Sequence, residues 1–238
     1  MRYAIFSDTH SNWEALTAFL EYAEHHKIDR YWMLGDIVGY GANPQEVCDK
    51  IFQISDVVIL GNHDKAIIDD KVLEWFNDEA REAILWTRGK LNPQTIKKLE
   101  NLPYIRVESN VTLTHSSTDQ PEEFPYIYEW KAASKAFQAF STPLCFIGHT
   151  HIPQIFAEKE KVTGYLEEGI YQLSRNDRYI ISCGSVGQPR DADKRLSFGV
   201  FDDKNYTLEI VRLQYAKEET AKKIRAQGLP RHSAERLL

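Results

Sequence analysis

The chain has 238 residues, of which 42% are hydrophobic and 27% are charged, and this balance is typical of a globular protein that buries a core. Its 35 acidic and 29 basic side chains give a net charge of −6, which argues against broad binding of a nucleic-acid backbone. A small anionic substrate is not excluded, because a bound cation reverses the local field.

The cysteine pattern and the first apolar run bear on cellular location. Cys48, Cys145 and Cys183 are odd in number and far apart, so no disulfide framework is predicted. The apolar run at residues 3–6 is too short for a signal sequence or a membrane span. These features predict a cytoplasmic protein that does not bind a membrane.

The first half of the chain alternates short apolar runs with helical periodicity. Apolar residues within 12–25 recur at spacings of three and four, which predicts an amphipathic helix after a short strand. Pro44 suits the first position of a second helix, where its missing N–H has no cost. Residues 72–102 are also helical in pattern, and the break at Asn92 and Pro93 predicts two helices there.

The second half of the chain is richer in strand-like runs. They are residues 161–166, 179–183, 196–201 and 206–213, and a turn at 202–205 joins the last two as a hairpin. Alternating strands and helices followed by a β-rich half predict two sheets between helices. We expect one domain over residues 1–215 and a C-terminal helix and tail over 216–238. This last segment either docks on the domain or contacts a second subunit.

Five apolar runs are each followed at once by polar residues that can bind a metal. After them come, in order, Asp8 with His10, Asp36, Asn62 with His63 and Asp64, His115, and His149 with His151. Ligands bind outside the carboxyl ends of strands in open α/β sheets, so these five ends are expected to share one rim. Carboxylate, imidazole and amide ligands favour Mn²⁺, Zn²⁺ or Fe over Ca²⁺ and Mg²⁺. So many candidate ligands fit two ions that share a carboxylate better than one four-coordinate zinc.

Each of these blocks taken alone also fits an ordinary structural role. Gly61 and Asn62 suit a turn, Asp8 suits a helix cap, and a histidine at a strand end is commonly a satisfied core residue. The pair His149 and His151 is the most specific block, because residues two apart in an extended segment project to the same side. Their joint occurrence in one order favours the metal site.

In that order the blocks resemble the motifs of the calcineurin-like metallophosphoesterases, which read DxH, GD, GNH(D/E), H and GHTH. The matching residues here are Asp8 to His10, Gly35 to Asp36, Gly61 to Asp64, His115, and Gly148 to His151. The resemblance implies an α/β fold, a four-layer α/β/β/α sandwich of two mixed β-sheets flanked by helices. It also implies two divalent metal ions, which we expect to be Mn²⁺, with Fe, Zn, Co and Ni as alternatives.

The resemblance further implies a role for each motif residue. The first metal would be held by Asp8, His10 and His151, the second by Asn62, His115 and His149, and both by Asp36. His63 would face the substrate phosphate as a general acid, and the adjacent Asp64 would raise the pKa of His63. The two ions would polarise the phosphoryl group and lower the pKa of a bridging water, whose hydroxide attacks in line with the leaving group.

Departures from one subgroup of this family narrow the substrate. Residues 35–41 lack the arginine of the GDxVDRG motif of phosphoprotein phosphatases, and Asp64 stands where those enzymes have glutamate. The sequence resembles a compact prokaryotic branch of the family that includes phosphodiesterases. We therefore expect hydrolysis of a small phosphodiester or dinucleoside polyphosphate, with no long nucleic acid as substrate. The alternatives are a phosphomonoesterase or protein phosphatase on the same metal core, and a non-catalytic scaffold.

Two further segments are candidates for substrate binding. Arg190 follows the strand-like run 179–183, so it could bind a non-scissile phosphate with its forked guanidinium, or pair at the surface with Asp191 or Asp193. The aromatic segment 124–130 could stack on a nucleobase or simply pack a loop. The sequence leaves both pairs of alternatives open.

Overall fold

The computed structural model describes residues 1–238 as two six-stranded mixed β-sheets with helices on their outer faces. The strands are β1 (Arg2–Phe6), β2 (Arg30–Met33), β3 (Val57–Val58), β4 (Ile105–Glu108), β5 (Val111–Thr114), β6 (Leu144–Ile147), β7 (Pro153–Ala157), β8 (Val162–Tyr165), β9 (Gly169–Gln172), β10 (Tyr179–Cys183), β11 (Leu196–Asp202) and β12 (Thr207–Leu213). The helices are α1 (Trp13–His25), α2 (Pro44–Ile54), α3 (Asn62–Ile68), α4 (Asp70–Leu73), α5 (Asp78–Arg88), α6 (Pro93–Glu100), α7 (Trp130–Gln138), α8 (Lys217–Ala226) and α9 (Arg231–Glu235). None of them is both long enough and apolar enough to cross a membrane.

Parallel strands lie side by side in both sheets. The first sheet has the order β3-β2-β1-β11-β12-β9, in which β1, β2 and β3 are parallel. The second has the order β4-β5-β6-β10-β7-β8, in which β5, β6 and β10 are parallel. The carboxyl ends of these parallel strands form the rim that carries the predicted ligands.

The alternation of side chains along β1 shows how the layers are built. Ala4 and Phe6 pack with the helices on the outer face of the first sheet, in a cluster that includes Leu16 and Phe19 of α1. Tyr3 and its neighbour at position 5 point the other way, into the core between the two sheets. A third cluster packs α7 on the second sheet. The predicted α/β/β/α order of layers is confirmed.

Several elements differ from the pattern expected from sequence. The apolar run at residues 57–60, which precedes Asn62, forms a strand only over the two residues of β3, and α3 begins at Asn62. The strands β4, β7 and β9 were not predicted; β7 begins at a proline and β9 is an exposed edge strand that contains a glycine, so neither has the alternation of a half-buried strand.

The C-terminal segment folds back on its own chain. The buried Ala221 and Ile224 of α8 pack with Ala234 of α9, with Leu237 and with Ala83 of α5. The tail expected after α8 therefore contains a second short helix with buried apolar residues, and its end reaches the rim of the sheets.

Candidate metal centre and active site

The seven side chains predicted as metal ligands lie together where the parallel strands end. They are Asp8, His10, Asp36, Asn62, His115, His149 and His151, and all but Asn62 are buried. Most follow directly on β1, β2, β5 or β6, while Asn62 begins α3. Residues that are distant in sequence meet here because the strands that precede them are neighbours in the two packed sheets.

The candidate ligand atoms form two groups that share one carboxylate. The first group, whose ligand atoms all lie within 4.8 Å of one another, is Asp8, His10, Asp36 and His151. The second, within the same distance, is Asp36, His115 and His149. Asn62 belongs with the second group, since its Oδ1 lies 3.1 Å from His115 Nε2. This division agrees with the two ligand sets that the resemblance implies, with Asp36 common to both.

The orientation of the imidazole rings fits bound metal ions. Three rings donate from Nδ1 to a backbone carbonyl: His10 to Val38 (2.9 Å), His115 to Leu34 (2.7 Å) and His151 to Gln188 (2.6 Å). These bonds leave Nε2 as an unprotonated ligand atom. His10 Nε2 and His151 Nε2 lie only 3.2 Å apart. Two lone pairs at that distance repel each other, and a cation bound by both removes the repulsion.

The pKa shifts of most of these buried groups also suit a metal. The exceptions are Asp8, whose pKa burial raises, and His115, in which the effect of burial is outweighed by that of Asp36 and the pKa rises to about 9. Burial lowers the pKa of His10 to about 3 and lowers the pKa values of His149 and His151 well below the usual range. Burial opposes ionisation of Asp36, but nearby imidazoles, first His115, hold the pKa of Asp36 well below its usual range. Neutral imidazoles and an ionised carboxylate are the forms that bind metal. Nitrogen and oxygen donors without cysteine fit borderline divalent ions.

The backbone is left-handed at five of the seven ligands, although none of them is glycine. The φ angles are +54° at Asp8, +46° at His10, +56° at Asp36, +67° at His149 and +59° at His151. Such angles cost of order 1 kcal/mol or more each and persist where the surroundings impose them, as at functional sites. The expected extended conformation of His149 and His151 is therefore wrong: the chain turns at both, and they contribute to different ligand groups.

His63 and Asp64 lie in the first turn of α3 but make different contacts. The ring of His63 packs against His10, Tyr40 and Phe76 with centroids 4.6 to 4.7 Å apart, and its Nδ1 has no hydrogen-bond partner. Asp64 instead accepts three backbone hydrogen bonds, at 2.9 Å from Ile37, 3.2 Å from Val38 and 3.1 Å from Gly61. Asp64 thus ties the loop after β2 to the start of α3.

The expectation that Asp64 raises the pKa of His63 needs correction. Burial lowers the pKa of His63 to about 3, and the carboxylate that opposes this effect is Asp36. Asp36 also accepts a hydrogen bond of 2.8 Å from the backbone N–H of His63. The carboxylate of Asp64 is turned toward the backbone, which sequence adjacency could not reveal.

Gly39 provides a test of how strictly the His63 ring is positioned. Gly39 has φ +98°, and a Cβ built there would lie 2.3 Å from His63 Nδ1. We expect Gly39→Ala to displace the ring and reduce turnover at least tenfold, measured as kcat with saturating Mn²⁺. Gly169→Ala is the control, since Gly169 also has positive φ (+150°) but open space around it. Both variants lose about 1 kcal/mol of stability from the backbone, and equal kcat values in the two would contradict this placement of His63.

A cavity of about 740 Å³ opens beside both ligand groups. It is lined by Asp36, Asn62, His63, His149 and His151 from the rim, and by three cations, Arg190, Lys194 and Arg236. The predicted alternative for Arg190, a surface ion pair, is wrong because Asp191 pairs with Arg212 and Asp193 pairs with Arg195. Arg190 instead faces the cavity, and its Nε is buried without a partner.

Aromatic residues from two segments line the same cavity. Within 124–130, the ring of Tyr126 stacks on His149 and Tyr128, with ring centroids 3.8 Å and 5.1 Å away. Trp130 is the first residue of α7 and packs, partly buried, against the cluster between α7 and the second sheet. The segment therefore both lines the cavity and packs its own loop. Trp75, which is 59% exposed, and Phe76 also line the cavity.

Sequence reasoning missed several cavity residues. Tyr40, Trp75, Phe76, Lys194 and Arg236 were not predicted as site residues, yet all line the cavity. For Tyr40, proximity to the GD motif was an available indication. The others come from segments whose only sequence pattern was helical spacing or charge, so only the packing of distant elements identifies them.

Comparison with known proteins agrees with the fold. The family model of the calcineurin-like phosphoesterase superfamily domain matches residues 1–206. The protein MJ0912 of Methanocaldococcus jannaschii is 37% identical over 239 residues, covering 98% of this chain and 96% of its own.

Two solved structures have the same fold over nearly their full length. A metallophosphoesterase from Sphaerobacter thermophilus superposes with a TM-score of 0.90 at 37% identity, covering 100% of this chain and 98% of its own. The protein PH1004 of Pyrococcus horikoshii OT3 gives 0.81 at 20% identity, with coverage of 99% and 97%. The match of family, fold and buried Asp/His cluster leads to one conclusion: the chain belongs to the calcineurin-like phosphoesterase superfamily and is a metal-dependent phosphate-ester hydrolase.

Proposed function

We propose that the chain hydrolyses a small phosphodiester or dinucleoside polyphosphate. The observation that supports this most is the cavity of about 740 Å³, which adjoins both ligand groups and combines cationic with aromatic walls. That size lies in the range of sites for small molecules. Aromatic faces next to cations suit a nucleobase joined to phosphate.

In this proposal the seven ligands hold two divalent ions, with Mn²⁺ as the expected species and Fe, Zn, Co and Ni as alternatives. Asp8, His10 and His151 bind one ion, Asn62, His115 and His149 bind the other, and Asp36 binds both. The ions, when bound, supply Lewis-acid stabilisation of the phosphoryl oxygens and a nucleophilic hydroxide. The hydrogen bonds from Nδ1 to carbonyls keep the histidine ligands in one orientation.

His63 is the residue that we propose to donate a proton to the leaving oxygen. It lines the cavity next to Asp36, and its side chain belongs to neither ligand group. Burial lowers its pKa to about 3, but an anionic phosphate bound beside the ring favours the protonated form and raises the pKa again. Asp64 supports this role indirectly, because it fixes the first turn of α3 through Gly61.

The runner-up is a phosphomonoesterase, which the same metal core could serve, and a non-catalytic scaffold is the third hypothesis.

A cytoplasmic location is supported by the three free, buried cysteines. Association of two chains through residues 216–238 stays a prediction; the apolar residues of α8 and α9 pack on their own chain.

A paired substrate panel tests the proposal. Chelator-treated protein, with Mn²⁺ restored, is assayed on bis-p-nitrophenyl phosphate, p-nitrophenyl phosphate, a phosphopeptide and a dinucleoside tetraphosphate. We expect the highest kcat/KM on the diester or the dinucleotide. A higher kcat/KM on the monoesters would favour a phosphomonoesterase over the proposed function. A protein that binds metal but hydrolyses none of the four substrates would favour the non-catalytic scaffold.

A further inference from the structure

Two arginines from distant parts of the chain line the cavity and share one hydrogen-bond partner. Arg190 lies in the loop after β10, and Arg236 directly follows α9 near the C-terminal end of the sequence. Both donate to the side-chain oxygen of Gln188, at 3.5 Å from Arg190 Nη2 and 3.3 Å from Arg236 Nη1. The two guanidinium groups are therefore held on one amide.

Gln188 links this arginine pair to the metal centre. Its side chain is 1% exposed, and its backbone carbonyl accepts the hydrogen bond from Nδ1 of His151 at 2.6 Å. The residue that orients a metal ligand thus also orients both arginines. Their position relative to the ligand groups is set by a buried, well-packed side chain and not by a mobile surface loop.

Neither arginine forms a salt bridge with a carboxylate, although Glu123 also lines the cavity. The acids that are closest to the two arginines in sequence are already paired: Asp191 with Arg212, Asp193 with Arg195, and Glu235 with Arg231. The buried Nε of Arg190 has no hydrogen-bond acceptor. An unsatisfied buried donor of a charged group is costly, and an anion in the cavity would satisfy it. Lys194 adds a third cation to the cavity lining.

We propose that Arg190 and Arg236 bind a second phosphate group of the substrate, next to the one that is hydrolysed, so that the enzyme prefers polyphosphate esters to simple diesters. The inference rests on the proposed function and specifies its substrate class. Forked guanidinium groups bind phosphate oxygens through paired, charge-assisted hydrogen bonds. The scissile phosphate lies at the ligand groups, and Gln188 fixes the spacing between the two phosphate positions. The C-terminal segment that follows α9 is thereby part of substrate recognition.

The test compares two substrates across four proteins. The values of kcat/KM for a dinucleoside tetraphosphate and for bis-p-nitrophenyl phosphate are measured for wild type, Arg236→Gln, Arg236→Lys and Arg231→Ala. We expect Arg236→Gln to reduce kcat/KM for the tetraphosphate about tenfold or more, the effect of losing a charge-assisted hydrogen bond, and to change the value for the simple diester less than about threefold. Arg236→Lys should restore part of the loss because it retains the charge.

Arg231→Ala is the matched control, since Arg231 begins α9, pairs with Glu235 and has a side chain that is 86% exposed. It should leave both values unchanged. Equal losses on both substrates in Arg236→Gln, or no loss on either, would overturn the proposal.

If the wild type hydrolyses neither substrate, the proposed function fails and the phosphate site is tested by binding. Inorganic tripolyphosphate is then titrated calorimetrically into chelator-treated protein. Weaker binding to Arg236→Gln than to wild type and to Arg231→Ala would support the phosphate site on its own. Equal binding to all three, or no binding, would overturn it.

Discussion

Replacing Asp36 by asparagine is expected to abolish nearly all hydrolysis. Asp36 is the only residue whose carboxylate belongs to both candidate ligand groups. Its loss weakens the binding of both ions, and the charge stabilisation that they supply is worth several kcal/mol. Since about 1.4 kcal/mol changes a rate tenfold, we expect kcat/KM to fall by roughly a thousandfold or more. Elemental analysis after dialysis should find fewer than two Mn²⁺ per chain.

Asp8→Asn and Asp56→Asn complete this experiment. Asp8 belongs to one ligand group only, so its replacement should weaken one ion more than the other. Asp56 pairs with Arg30 at the opposite end of β2 and should leave both metal content and turnover unchanged. An Asp36→Asn protein that keeps two ions and wild-type activity would show that Asp36 does not bridge them.

Replacing His63 by alanine is expected to remove most turnover without removing metal. The His63 side chain is outside both ligand groups but lines the cavity beside them. Loss of a general acid typically lowers the rate by roughly 10²- to 10⁴-fold. The loss should be larger for a dinucleoside tetraphosphate than for bis-p-nitrophenyl phosphate, because p-nitrophenolate departs readily without a proton. The measurement is kcat on both substrates together with metal content.

His25→Ala is a suitable control, since His25 is an exposed residue at the far end of α1. It should leave kcat and metal content as in wild type. Near-normal activity of His63→Ala on the tetraphosphate would exclude His63 as the proton donor and would leave it a packing role against Tyr40 and Phe76.

The meeting of the seven ligands was predictable from sequence for one physical reason, whereas the four-layer order was implied by the resemblance to the family. Each ligand block follows an apolar run, and parallel strands end at a common rim, so position after a strand is enough to place a side chain near the others. The two-sided burial of β1, in which residues 3 and 5 face one layer and residues 4 and 6 another, is also visible in its uninterrupted apolar run.

Other features depend on contacts that sequence spacing does not encode. Asp64 is adjacent to His63 in sequence, yet the first turn of α3 directs its carboxylate to the backbone of Ile37 and Val38. The left-handed turn that separates His149 from His151 breaks the alternation expected of an extended segment. Arg236 reaches the cavity only because α8 and α9 fold back onto the body, which is a long-range packing effect.

We propose that this buried cluster binds two metal ions that together hydrolyse phosphate esters. The most direct measurement is a titration of Mn²⁺ into chelator-treated protein, with bound Mn²⁺ followed by equilibrium dialysis and hydrolysis of bis-p-nitrophenyl phosphate followed in the same samples. We predict saturation at two ions per chain, with activity that requires the second, as in two-metal sites. Saturation at one ion, or full activity with one bound, would contradict the two-metal site.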